Sequence, residues 1–141
     1  MQAALVPELY VSDLDASLIF YARVGFVVRY ARPAERFAYL AREGAELMLE
    51  EPSGRIWLSA PLVRPFGRGM NLQIAAADVE ALYAIATSAE LMIQQPLEVR
   101  DYARAADVVR IRQFVVADPD GYLLRFSQML DVSPAPPPAT P

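Results

Sequence analysis

Val11-Ser-Asp-Leu-Asp-Ala-Ser-Leu-Ile-Phe-Tyr21 is where the fold of this chain becomes readable. Ser12-Asp13 has the oxygen-bearing side chains that accept from the free N–H groups at a helix start. Leu14, Leu18, Tyr21 and Val24 then recur at helical spacing, and Gly25 stops the helix. Upstream, Leu5 to Val11 alternates as a strand. Downstream, Phe26–Ala31, Arg36–Ala41 and Ala45–Glu50 read as three short strands, with Pro33-Ala-Glu35 and Glu43-Gly44 as the turns between them.

The same order recurs from Met70. Asn71–Ala76 alternates, Asp78 stands where Asp13 stood, and Val79, Leu82, Ile85 and Ala86 form an apolar helical stripe. Strands are expected at Met92–Gln94, Val99–Ala103, Val109–Ala117 and Tyr122–Gln128, the last entered by the turn Asp118-Pro-Asp-Gly121. The expectation is an α+β chain of two tandem βαβββ modules, at about 4–51 and 70–130, within one domain spanning 1–132. The linker, 52–69, holds three Pro and three Gly and one candidate strand around Trp57; the Pro-rich stretch 133–141 is expected to be a disordered tail.

Composition removes much chemistry. Among 141 residues there is no His and no Cys, and all 13 basic residues are Arg. Imidazole bases, thiolate nucleophiles, disulfides, Cys-type zinc sites, Schiff-base lysines and the P-loop lysine are therefore excluded. A metal would have only oxygen ligands. A net charge of −4 argues against nucleic acid. No apolar run approaches a membrane span, and no signal peptide is evident, so the expected location is the cytoplasm. Gly67-Arg-Gly69 lacks the Walker spacing and reads as linker flexibility.

Each module has one helix to cover one face of its sheet, which leaves the other face open unless a second module or subunit shares it. Alternation assigns Leu5, Pro7, Leu9, Val11, Leu47 and Leu49 to the helix side of the first module. Leu72, Ile74, Ala76, Leu124 and Phe126 take that side in the second. The open sides then carry Val6, Glu8, Tyr10, Glu46, Met48 and Glu50, and Asn71, Gln73, Ala75, Leu123, Arg125 and Ser127. The mixed polar and aromatic faces are the expected binding surfaces.

The stretch 11–21 followed by Gly25-Phe26, the segment Gly44-Ala-Glu-Leu-Met-Leu-Glu50 and the segment Arg112 to Phe126 together resemble the vicinal oxygen chelate superfamily. That group includes glyoxalases, extradiol dioxygenases and fosfomycin- and bleomycin-resistance proteins. The resemblance spans residues 5–128 and implies paired modules and a homodimer. Metal-dependent members hold a divalent ion with four strand positions, which fall here at Val6, Glu46, Asn71 and Arg125. Only Glu46 is an ordinary ligand, so no metal and no cofactor is expected. The resemblance instead places Glu46 near Arg125, close enough for an ion pair.

The metal-free bleomycin-resistance type, which sequesters planar cationic drugs between subunits, is the nearest branch implied. On that reading the ligand-contacting residues are Phe37, Tyr39, Glu46, Met48, Trp57, Asn71, Gln73, Tyr102, Arg112, Phe114 and Arg125. None of them is assigned a catalytic role. Phe66 is a further aromatic for stacking, and Glu8, Glu46, Glu50, Asp101 and Asp107 are candidates to meet a cation. Arg64, Arg68, Arg110 and Arg112 leave an anionic ligand as the opposite choice. The alternatives are an enzyme on the same scaffold, with Glu46 as general base and Arg125 stabilising an oxyanion, and a ligand-sensing or partner-binding module.

Overall fold

The computed structural model describes residues 2–139. The chain runs β1 (Glu8–Tyr10), α1 (Leu14–Arg23), β2 (Val27–Arg32), β3 (Phe37–Arg42) and β4 (Ala45–Glu50). It continues as β5 (Asn71–Ala75), α2 (Val79–Ser88), β6 (Met92–Ala103), β7 (Asp107–Ala117) and β8 (Leu123–Pro134). Two four-stranded sheets result, ordered β1-β4-β3-β2 and β5-β8-β7-β6. In each, the first strand lies parallel to the last and the other pairings are antiparallel. The chain is thus α+β, with two tandem βαβββ modules.

Both helices start as the sequence requires. The Asp13 and Asp78 side chains accept from the backbone N–H of Ala16 and Ala81, at 3.3 and 3.0 Å. Leu9, Val11, Leu47 and Leu49, with Ile74, Ala76, Leu124 and Phe126, all enter one buried cluster with the helices. Leu5 does not: it precedes β1 and is exposed.

Three boundaries differ from expectation. The strands expected at 92–94 and 99–103 are one strand, β6, whose pairing with β7 shifts register around residues 93–98. Pro96 is tolerated there because β6 is an edge strand, where a missing N–H costs no ladder bond. No strand forms around Trp57, in a segment broken by Pro and Gly. Ser133 and Pro134, expected in the tail, pair with Val108 and Asp107 instead; Thr140 and Pro141 lie outside the described residues.

The modules meet at buried polar contacts around the turn after β7. Tyr21 Oη on α1 donates to Asp118 at 2.8 Å, and that carboxylate also accepts from the backbone N–H groups of Asp120 and Tyr122. Asp120 accepts from the Ser12 N–H and hydroxyl and pairs with Arg64 at 2.9 Å. Tyr122 Oη donates to the Tyr10 carbonyl at 2.9 Å. Burial raises the Tyr21 hydroxyl well above its ordinary value, and the adjacent Asp118 adds to it; burial likewise lifts Asp118.

The strands of the second module outrun their helix. Ten residues of α2 span about 15 Å, whereas the eleven of β7 span about 37 Å. The far ends of β6, β7 and β8 therefore form an arm that no helix covers.

Candidate functional site

On the open face of the first module, Phe37, Tyr39 and Ala41 of β3 lie beside Glu46, Met48 and Glu50 of β4. Phe37 and Tyr39 are only 2% and 3% exposed, so neither presents its ring to solvent. Two side chains of β2 cover them. Tyr30, 48% exposed, stacks on Tyr39 with ring centres 5.0 Å apart and planes 14° apart. The Arg32 guanidinium sits 3.7 Å over the Phe37 ring. The exposed aromatic of this face is therefore Tyr30, a residue outside the set expected from the sequence. The β2–β3 hairpin sets Tyr30 opposite Tyr39, past a register shift that alternation along either strand does not show.

Glu46 is buried here with Arg29 as its ion-pair partner, and it also accepts from the Ala3 backbone N–H. That N–H is the main cause holding its carboxyl below the usual range, with Tyr39 and Arg29 adding to it against the opposing effect of burial. The expected Glu46–Arg125 ion pair does not form within the chain: Arg125 Nη2 donates to Gln73 at 2.8 Å instead. Its Nε is out of contact with solvent and has no hydrogen-bond partner among the described residues.

Of the acidic candidates, Asp101 and Asp107 are already neutralised by Arg110 and Arg104 at 2.8 and 2.6 Å. Glu8 and Glu50 remain. They lie on the same face of the parallel β1–β4 pair, and burial first, then the neighbouring Glu8, raises the Glu50 carboxyl above its ordinary value. Neither has a salt-bridge partner among the described residues, although the Arg32 guanidinium over Phe37 acts on Glu50.

The open face of the second module has a cavity of about 330 Å³. Gln73, Tyr102, Gln113, Arg125 and Met129 line it, and Gln113 Nε2 ties Tyr102 Oη and Glu98 together at 2.5 and 3.1 Å. Three of the expected residues, Gln73, Tyr102 and Arg125, meet here. Asn71 opens β5 beside Leu123, exposed. Trp57 lies apart in the linker, 70% exposed, with its backbone N–H donating to Tyr10 Oη and Arg55 over its ring.

Phe114 and Arg112 need correcting. Register with β8 puts Phe114 opposite Phe126 and Arg112 opposite Gln128, on the helix side. Phe114 is wholly buried between Phe126 and Tyr83, and Arg112 reaches Glu80 on α2 at 3.7 Å. The β7–β8 pairing sets Val115 opposite Arg125, so Val115 and Gln113, not Phe114, share the open face.

The four strand positions do not fit a divalent ion. Val6 has no donor atom, Arg125 carries a fixed positive charge, and the Glu46 carboxylate is engaged by Arg29 and Ala3. Among the described residues no three His, Cys, Asp or Glu side chains gather into a metal-holding group.

The crystal structure of TioX from Micromonospora sp. ML1 superposes with a TM-score of 0.67 at 24% identity, covering 92% of this chain and 98% of that one. A bleomycin resistance determinant encoded on transposon Tn5 gives 0.60 at 19% identity over 90% and 98%. A glyoxalase/bleomycin resistance protein/dioxygenase superfamily member from Vibrio splendidus 12B01 is 39% identical over 89% and 97%, with a TM-score of 0.42. No curated protein matches. The Glyoxalase/Bleomycin resistance protein/Dioxygenase superfamily matches residues 3–126, and the chain belongs to that superfamily.

Proposed function

We propose that this protein binds a planar, cationic small molecule on its open sheet faces without transforming it, in the manner of bleomycin resistance proteins. The observation that carries the reading is the first module's open face, where the exposed ring of Tyr30 shares one sheet surface with the Glu8–Glu50 carboxyl pair. A flat ring stacks on Tyr30, and a positive charge is attracted to the carboxyls. On the open face of the second module, the Gln73 side-chain NH2, beside Arg125, supplies a donor for a ligand carbonyl.

The groove is completed by a second copy of the chain. Within one chain, no hydrogen bond or ion pair among the described residues joins the two open faces. The arm also leaves Tyr102, Met129 and Val132 exposed with apolar surface to cover. In a homodimer, the first module of one copy covers the second module of the other.

The enzymatic alternative is disfavoured by the state of Glu46. A carboxyl held below its usual range and already paired with Arg29 is a weak general base. The reading is tested by titrating bleomycin and other planar cationic drugs into the protein in a calorimeter, with sedimentation of the same sample. Saturable binding by a dimer supports it; a monomer that binds none of them overturns it.

A further inference from the structure

A second cavity, of about 760 Å³, opens where the linker folds back onto the end of the second sheet, and it shares no lining residue with the 330 Å³ cavity. Its volume lies in the range of small-molecule sites. Phe20 of α1, Phe66 of the linker, and Leu91, Met92 and Leu123 of the second module give it an apolar wall drawn from three parts of the chain. Met92 is 70% exposed and Met70 is exposed beside it, and methionine is the side chain that adapts most readily to varied apolar ligands.

The linker wall is not the loose segment that Gly67-Arg-Gly69 suggested. The Phe66 N–H donates to the Asp120 carbonyl, and Arg64 bonds Asp120, Ser12 and the Pro119 carbonyl. A Cβ on Gly67 would stand 2.4 Å from the Tyr122 ring, and one on Gly121 would stand 2.5 Å from Pro65. The cavity is therefore built before any ligand arrives.

Its unpaired donors point to an anion. Arg64 is spent on Asp120, and Asp118 is satisfied by Tyr21 and two backbone N–H groups. Arg68 has no carboxylate partner among the described residues, since its Nε and Nη2 donate only to the Pro65 and Arg64 carbonyls. The backbone N–H groups of Gly67, Arg68 and Gly69 also lack acceptors among the described residues, with Gly67 and Gly69 at φ 73° and 87°. Successive unpaired N–H groups in such a turn concentrate positive potential. Glu90 also lines the cavity as an opposing charge, with Asp118 and Asp120 already engaged as described.

We propose that this cavity is a binding site for an amphipathic organic anion, an aryl or acyl carboxylate or sulfonate, with its headgroup at Arg68 and the 67–69 amides. Its apolar body lies along Phe20, Phe66, Leu91 and Met92. This site is independent of the sheet-face groove.

The test is fluorescence titration of the full chain with 8-anilinonaphthalene-1-sulfonate, followed by displacement with decanoate and, separately, decyltrimethylammonium. The probe binds saturably, and decanoate displaces it while the ammonium does not. Arg68→Gln weakens it about tenfold, the scale of one charge-assisted hydrogen bond. Met92→Glu, at a side chain 70% exposed, weakens it as well, and Glu90→Gln tightens it. The proposal is overturned by parental affinity in both R68Q and M92E, by equal displacement with the ammonium, or by loss of probe binding in R125Q instead.

Discussion

Tyr30 and Tyr39 lie face to face across the β2–β3 pair, ring centres 5.0 Å apart, with Tyr39 sealed beneath and Tyr30 open to solvent. The buried ring fixes the exposed one, so a ligand ring would meet a surface whose orientation is already set. Tyr30→Ala should weaken binding of a planar cation by about 1–2 kcal/mol, roughly fivefold to thirtyfold. Calorimetry against the parent measures this, with an unchanged far-ultraviolet spectrum as the control.

The Glu8–Glu50 pair makes binding depend on pH. Burial, and then the neighbouring Glu8, raises the Glu50 carboxyl above its ordinary value, so Glu50 is protonated below that raised value and charged above it. Affinity for a cation should rise as pH increases from 4.5 through that value and then level off. The stability contribution runs the other way, present below 4.5 and lost as pH rises through the folded value. Glu50→Gln should flatten both profiles; titrations from pH 4 to pH 8 show whether it does.

Tyr21 and Asp118 tie the first helix to the second module. Tyr21→Phe removes one donor from a buried carboxylate and should lower unfolding free energy by about 1.5–3 kcal/mol. Urea denaturation at constant m-value gives the difference directly.

Gly121 has φ +101°, and a Cβ there would stand 2.5 Å from Pro65 Cβ and 2.9 Å from its backbone. Gly121→Ala must strain the turn or push the linker away, so a loss of more than about 1 kcal/mol is expected. The same measurement on Gly44→Ala, where the added methyl has open space around it, should show a smaller loss from backbone strain alone.

The repeat, the helix caps and most of the two-sided face pattern were legible because each rests on local chemistry: Asp13 and Asp78 as caps, and alternation in β4, β5 and β8. What depended on pairing between strands was not. Alternation along β7 alone does not say which face is which, so Phe114 and Arg112 were assigned to the wrong side. Tyr30, Arg29 and Arg32 cover Phe37, Tyr39 and Glu46 only because β2 pairs with β3, a relation that no single strand reveals. The Ala3 N–H on Glu46 joins residues 43 positions apart. Composition excluded much of the chemistry, and strand register located the surface that remains.

The central claim is capture of an unaltered ligand, and one experiment reaches it most directly. Isothermal titration of the protein with bleomycin and a panel of planar cationic drugs is followed by mass spectrometry of the ligand released on denaturation. The account predicts saturable binding of at least one cation, weakened in Tyr30→Ala, with the ligand recovered at its original mass. Absence of binding across the panel, or recovery of a chemically changed ligand, would contradict it.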